Sequence, residues 1–167
     1  MTLPYTEPLT IRQLDDRVVP EPPRNGEAGG EPCRICTGKG RDPVWSDDLW
    51  SLHPPSGCSL PGTVWLASRT HVDSFWDLPQ AAATSFGQIA GRVERAVLSL
   101  GNIARVHLYR WGDGGAHFHI WFLPRPLGML DARGMMLPLW EDVLPNVADS
   151  ELVAAAERVA ARLADDD

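Results

Sequence analysis

The chain has no excess of basic charge, no long apolar run and few cysteines, and each shortage removes a class of function. Its 167 residues include 15 Lys+Arg against 22 Asp+Glu, a formal net charge of −7. Affinity for a nucleic-acid backbone comes largely from neutralising phosphates, so no nucleic-acid polymer is expected as a partner. A small nucleotide held in a dedicated pocket stays open. No stretch approaches about 18 consecutive apolar residues, so no membrane span is expected. The first 30 residues carry five prolines and charges of both signs without an apolar stretch, so no secretory leader is expected either. Three cysteines are an odd number, and Cys33 and Cys36 lie close together. A disulfide framework explains them poorly, whereas a reducing, cytoplasmic setting and a metal site explain them well.

What is present sorts into three stretches. Residues 1–31 read as a flexible N-terminal arm, broken by Pro4, Pro8, Pro20, Pro22 and Pro23 and ending in the lead-in Arg24–Gly30. Leu9-Thr10-Ile11 is the one segment there that suggests an edge strand. Residues 32–126 form the expected core domain. In it Val44-Trp45 and Leu49–Leu52 flank a turn at Ser46-Asp47-Asp48, and Thr63–Ala67 has strand character. A helix is expected over about 79–100, from the recurrence of Phe86, Ile89/Ala90, Val93, Val97 and Leu100. Asp77 would cap it, with Gln80 in capping-box position, and Gly101 would stop it. Strands Ile103–Tyr109 and Ala116–Leu123 follow, joined by Trp111-Gly112-Asp113-Gly114-Gly115. Residues 127–167 read as a C-terminal helical extension, with one helix over about 150–163 and Asp165–Asp167 fraying its end. Strands and helices do not alternate regularly, which predicts an antiparallel α+β domain.

Two constellations carry chemistry. Cys33-x-x-Cys36 runs into Thr37-Gly38-Lys39-Gly40, and two thiolates three positions apart can share a metal if the chain turns behind them. Pro32 and the glycines argue against the alternative, a redox pair opening a helix. In His117-Phe118-His119-Ile120-Trp121-Phe122, the strand period of two sends His117, His119 and Trp121 to one face and the three apolar residues to the other. An imidazole there can act as nucleophile, base or ligand. Other conspicuous residues have structural readings. Trp45, Trp50 and Trp65 are expected in the core, Cys58 as a small hydrophobe, His107 as structural and His53 in an exposed loop.

The two constellations, joined by Pro61-Gly62-Thr63-Val64-Trp65-Leu66-Ala67-Ser68-Arg69-Thr70-His71-Val72, resemble the histidine-triad (HIT) superfamily of nucleoside phosphoramidases, dinucleoside polyphosphate hydrolases and galactose-1-phosphate uridylyltransferases. The middle segment is similar to the family's PGHxLVIPKxHV, and His117–Arg125 is similar to its HxHxHVIPR. The resemblance implies an antiparallel HIT-like sheet with one long helix and a C-terminal helix. It implies a structural zinc held by Cys33, Cys36, His71 and His117. It makes His119 the nucleophile at an α-phosphate, forming a nucleotidyl-His intermediate. Gly112, Gly114 and Gly115 would approach the phosphate, with Arg110 and Trp121 beside the substrate. The implied ligand is a nucleoside monophosphate or its derivatives, and the implied assembly is a homodimer through the long helix and a strand.

The departures bear on activity. Trp121 stands where the family has its third histidine, the polar side chain usual near the glycine turn is missing, and no ribose-binding Asp is recognisable near Leu52 and His53. Three readings result: a nucleotide hydrolase or nucleotidyl transferase, a degenerate HIT domain that binds nucleotide or a protein partner without catalysis, and a zinc-stabilised interaction module of another family.

Overall fold

The structure is a computed structural model and describes residues 2–6 and 8–165. A short hairpin opens the sheet, β1 (Trp45–Ser46) to β2 (Trp50–His53). The Asp47 carboxylate closes its turn by accepting the Leu49 and Trp50 N–H groups at 2.8 and 2.6 Å. Then come β3 (Val64–Ser68), α1 (Gln80–Leu98), β4 (Ile103–Tyr109), β5 (His119–Pro126), α2 (Met136–Val143) and α3 (Asp149–Ala164). The five strands form one antiparallel sheet in the order β1-β2-β3-β5-β4. This is the expected α+β architecture. Among the described residues no helix is long and apolar enough to cross a membrane.

The strand period gives the sheet two unlike faces. One face presents Leu52, Leu66, Ile120 and Phe122, and α1 lays Ile89, Val93 and Val97 on it at the expected helical spacing. Helix α3 packs against α1 and β1 and adds Ala156, Val159 and Leu163 to the same core. The stretch after residue 126 is therefore built into the domain through its last helix. On the other face a second cluster forms, from Cys58, Leu60, Leu123, Leu137 and Leu152. Cys58 behaves as the expected small hydrophobe, 5% exposed, and burial pushes its thiol pKa up.

Several local expectations are corrected. Asp77 does not cap α1: its carboxylate takes the Ser74 hydroxyl at 2.6 Å, and Pro79 stands at the cap position with no side-chain cap bond. Leu9–Ile11 forms no strand, and Ile11 is 96% exposed. The last strand begins at His119 rather than Ala116. Upstream of it, the Ala116 and Phe118 N–H groups bond to Asn25 O at 2.8 Å and Val72 O at 2.6 Å, outside the ladder. Helix α2 adds a second helix to the 127–167 stretch, where one was expected over about 150–163, and it contains Pro138. Pro138 sits in the first turn, where a backbone N–H has no partner in the helix anyway. The expected fraying at the end of α3 falls partly on Asp166 and Asp167, which lie outside the described residues.

Candidate active site and metal centre

Three separate pieces of chain bring the four expected metal ligands together. Cys33 and Cys36 sit on a turn closed by Thr37 N–H to Cys33 O at 3.1 Å and Gly38 N–H to Ile35 O at 3.2 Å. His71 follows β3, and His117 precedes β5. His117 Nδ1 lies 3.3 Å from Cys33 Sγ, 3.5 Å from Cys36 Sγ and 3.3 Å from His71 Nδ1, and Cys36 Sγ lies 3.3 Å from His71 Nδ1. All four ligand atoms fall within 4.8 Å of one another. A tetrahedral ion about 2.0–2.1 Å from nitrogen and about 2.3 Å from sulfur spaces its ligand atoms roughly 3.3–3.8 Å apart, so the cluster fits a zinc-sized cation.

The surroundings suit that ion. His117 Nε2 donates to Ser68 O at 2.8 Å, which leaves the Nδ1 lone pair pointing at the other ligands. Burial lowers the His117 pKa, keeping that nitrogen unprotonated. Without a metal the Cys36 thiol is pushed up to about 11, first by desolvation and then by Cys33. A bound cation reverses this, because a coordinating thiol is deprotonated.

His119 has the same sequence neighbours but a different environment. It is half-buried, opposite Ala67 of β3, and its Nδ1–H donates to His117 O at 2.7 Å. That bond fixes the tautomer and leaves Nε2 as the nitrogen with a free lone pair. His119 lines a cleft of about 310 Å³ together with His117, Trp121 and the Gly112–Gly115 turn. Within the described residues, the N–H groups of Gly112, Asp113, Gly114 and Gly115 donate to no protein acceptor. A run of unpaired N–H groups beside a nucleophilic nitrogen is what an anionic, electrophilic phosphorus requires.

The turn is held from behind by residues that the sequence did not single out. Arg24 donates to Gly112 O at 2.8 Å, to both Asp73 carboxylate oxygens at 3.3 and 2.6 Å, and to Glu27. Its guanidinium, more than any other group, holds the Asp73 carboxyl below the usual range. Asn25 forms a bridge with Gly115. The lead-in Arg24–Gly30 is thus bonded to the site. No periodicity pairs Arg24 with Asp73 across 49 positions, so only the fold reveals the brace.

Other expectations part company with the geometry. Arg110 is not among the residues lining the cleft: its guanidinium bonds to Asp73 O and lies 5.6 Å from the centre of the Phe118 ring. Trp65 is not core. It is half-buried in a cross-strand row, His53–Trp65–Trp121–Tyr109, on the same sheet face as His119. His53 is 5% exposed, stacked 4.1 Å from Trp65, with Nδ1–H donating to Arg41 O at 3.1 Å and Nε2 accepting from the Ser51 hydroxyl at 2.9 Å. The expectation of an exposed loop residue fails because β2 runs through position 53. Trp121 occupies the third-histidine position, its ring 6.4 Å from that of His119 and edge-on to it.

No family model matches the chain, and no curated protein matches it in sequence. Its fold does match solved structures. A zinc-bound histidine triad family protein from Mycobacterium smegmatis superposes with a TM-score of 0.59 at 17% identity, over 80% of this chain and 91% of that one. A hypothetical histidine triad nucleotide-binding protein from Sulfolobus tokodaii gives 0.58 at 10% identity, over 80% and 91%. A uridylyltransferase gives 0.53 at 14% identity, over 80% of this chain and 44% of the larger enzyme. The fold is that of the histidine triad proteins.

Proposed function

We propose, for a chain with the histidine triad fold, that it is a nucleotide hydrolase or nucleotidyl transferase acting at an α-phosphate through His119. The observation that carries the reading is the Nδ1–H bond from His119 to His117 O, which leaves Nε2 free in a cleft lined by the Gly112–Gly115 turn, whose N–H groups have no acceptor among the described residues. In the proposed step the Nε2 lone pair forms an N–P bond while the bond from phosphorus to the leaving group breaks. The Gly112–Gly115 N–H groups meet the charge on the non-bridging oxygens. Water, or an acceptor hydroxyl, then attacks phosphorus, loses its proton to solvent, and releases His119.

The Trp121 indole N–H can donate a hydrogen bond but is far too weak an acid to protonate a leaving group, so the leaving group takes its proton from solvent or leaves as an anion. Slow turnover and a preference for good leaving groups follow. The same residue favours the second reading, a domain that holds nucleotide without turning it over. Zinc at Cys33, Cys36, His71 and His117, with all four positions filled by protein, would supply structure and have no open site for water. The rest of the reading is a cytoplasmic homodimer with a nucleoside monophosphate or its derivatives as ligand.

The test is incubation with an adenosine phosphoramidate followed by intact-protein and peptide mass measurement. An adenylyl adduct on His119, absent in His119→Asn, is the expected result. Binding of the nucleotide with no adduct and no product supports the non-catalytic reading instead.

A further inference from the structure

A phosphate entering this cleft meets a molecule of net charge −7, and the backbone N–H groups of the turn carry only partial charge. A cationic side chain would add a full countercharge to them. Arg24 and Arg110 flank the turn, but both are engaged with Asp73. Among the residues lining the cleft, Arg34 is the one with a permanent positive charge, and Asp113 the one carboxylate.

We propose that Arg34 binds the phosphate of the ligand and so sets the requirement for an anionic, phosphorylated substrate. This rests on the reading of the cleft as a phosphate site. Arg34 lies between the two cysteine ligands, and its carbonyl accepts the Lys39 N–H at 3.0 Å, which fixes its backbone. The side chain differs: it is exposed and makes no hydrogen bond, ion pair or ring contact with any described residue. A free guanidinium on an anchored backbone keeps its planar fork available for two phosphate oxygens, a geometry that an ammonium does not offer. The metal turn thereby becomes one wall of the binding site as well as a structural clasp. A neutral nucleoside has nothing for Arg34 to hold.

Calorimetric titration of the metal-loaded protein with AMP and, separately, with adenosine tests this, using Arg34→Gln and Arg34→Lys. Unchanged metal content and melting temperature show that each variant is folded, as expected for an exposed side chain. Arg34→Gln should weaken AMP binding about tenfold or more and leave adenosine binding within about twofold. Arg34→Lys should fall between the two. AMP binding by Arg34→Gln at parental strength overturns the role of Arg34 and leaves the phosphate site standing. Equal loss of AMP and adenosine also overturns it, by showing a general effect on the cleft. If the parent binds no AMP, the phosphate site and the role of Arg34 fall together.

Discussion

His53 and Trp121 are the two side chains whose environment most changes what their residue types suggest. Burial is the main cause that holds the His53 imidazole below the ordinary histidine range, and both ring nitrogens are satisfied in the neutral form. The folded protein therefore binds fewer protons at this position than the unfolded chain once pH falls below about 6.5. His53 supports folding fully above that pH, and its contribution declines as pH falls through the lowered, folded-state pKa. His53→Gln should flatten the pH dependence of the urea midpoint between about pH 8 and pH 5, measured against the parent. A parallel pair of curves would show that His53 does not titrate with folding. Trp121 separates His119 from any proton donor at the third position. Trp121→His should raise the hydrolysis rate of a poor leaving group by about tenfold or more, since a positioned acid typically contributes at least that much. It also removes contacts with the Trp65 and Trp111 rings, so a lowered melting temperature is expected alongside.

At the scale of elements, the metal turn, the Arg24–Glu31 segment and the entry to β5 form one unit. Gly26 shows how close the packing is. Its φ is +92°, and a Cβ built there would lie 3.0 Å from His71 Cε1 and 3.3 Å from Cys33 Cβ. Gly26→Ala adds backbone strain of about 1–3 kcal/mol and crowds two ligands at once. Zinc affinity, measured by competition with a chelator, should fall by about tenfold or more. Removing the metal should act on the same unit. Hydrogen exchange should accelerate at Ala116 and Phe118, whose N–H groups bond to Asn25 and Val72, while the α1 amides stay protected. Uniform acceleration across the chain would mean that the metal supports the whole fold.

At the scale of the whole molecule, one sheet face is covered by the main core and the other carries a smaller cluster beside the His119 cleft, and α3 ties the last residues to the middle of the chain. Leu163 is fully buried in the main core, and its carbonyl accepts a 2.8 Å bond from Arg92 of α1. Leu163→Ala should cost about 2–5 kcal/mol in equilibrium unfolding while leaving the His119 cleft, on the other face, able to bind AMP. A change near zero would mean that α3 docks without contributing to stability. β4 ends the sheet with an outer edge unpaired among the described strands, and Leu108 on it is 44% exposed. Pairing of two such edges would give the proposed homodimer. Light scattering at micromolar concentration should give twice the 18.4 kDa chain mass; the single-chain mass would rule the dimer out.

The sequence by itself determined the α1 and α3 faces, because Ile89, Val93 and Val97, and Leu152, Val159 and Leu163, recur at the helical period and burial follows that period. It also marked Cys33 and Cys36 as a metal pair and put His117, His119 and Trp121 on one strand face, because the CxxC spacing and the strand period are local properties. His71 and His117 as the remaining ligands came from the resemblance, and the fold brings all four together. It could not separate the roles of His117 and His119 without the resemblance. Both lie on one face two positions apart, and only their partners, Ser68 O with the cysteine thiols and His117 O, tell them apart. The tertiary structure alone decided that Arg24–Gly30 braces the glycine turn, that Arg110 is drawn away to Asp73, that α2 forms around Pro138, and that His53 and Trp65 join the aromatic row. Apart from α2, where Pro138 is tolerated locally in the first turn, each of these depends on a contact between residues far apart in the chain, which leaves no periodic trace in the sequence.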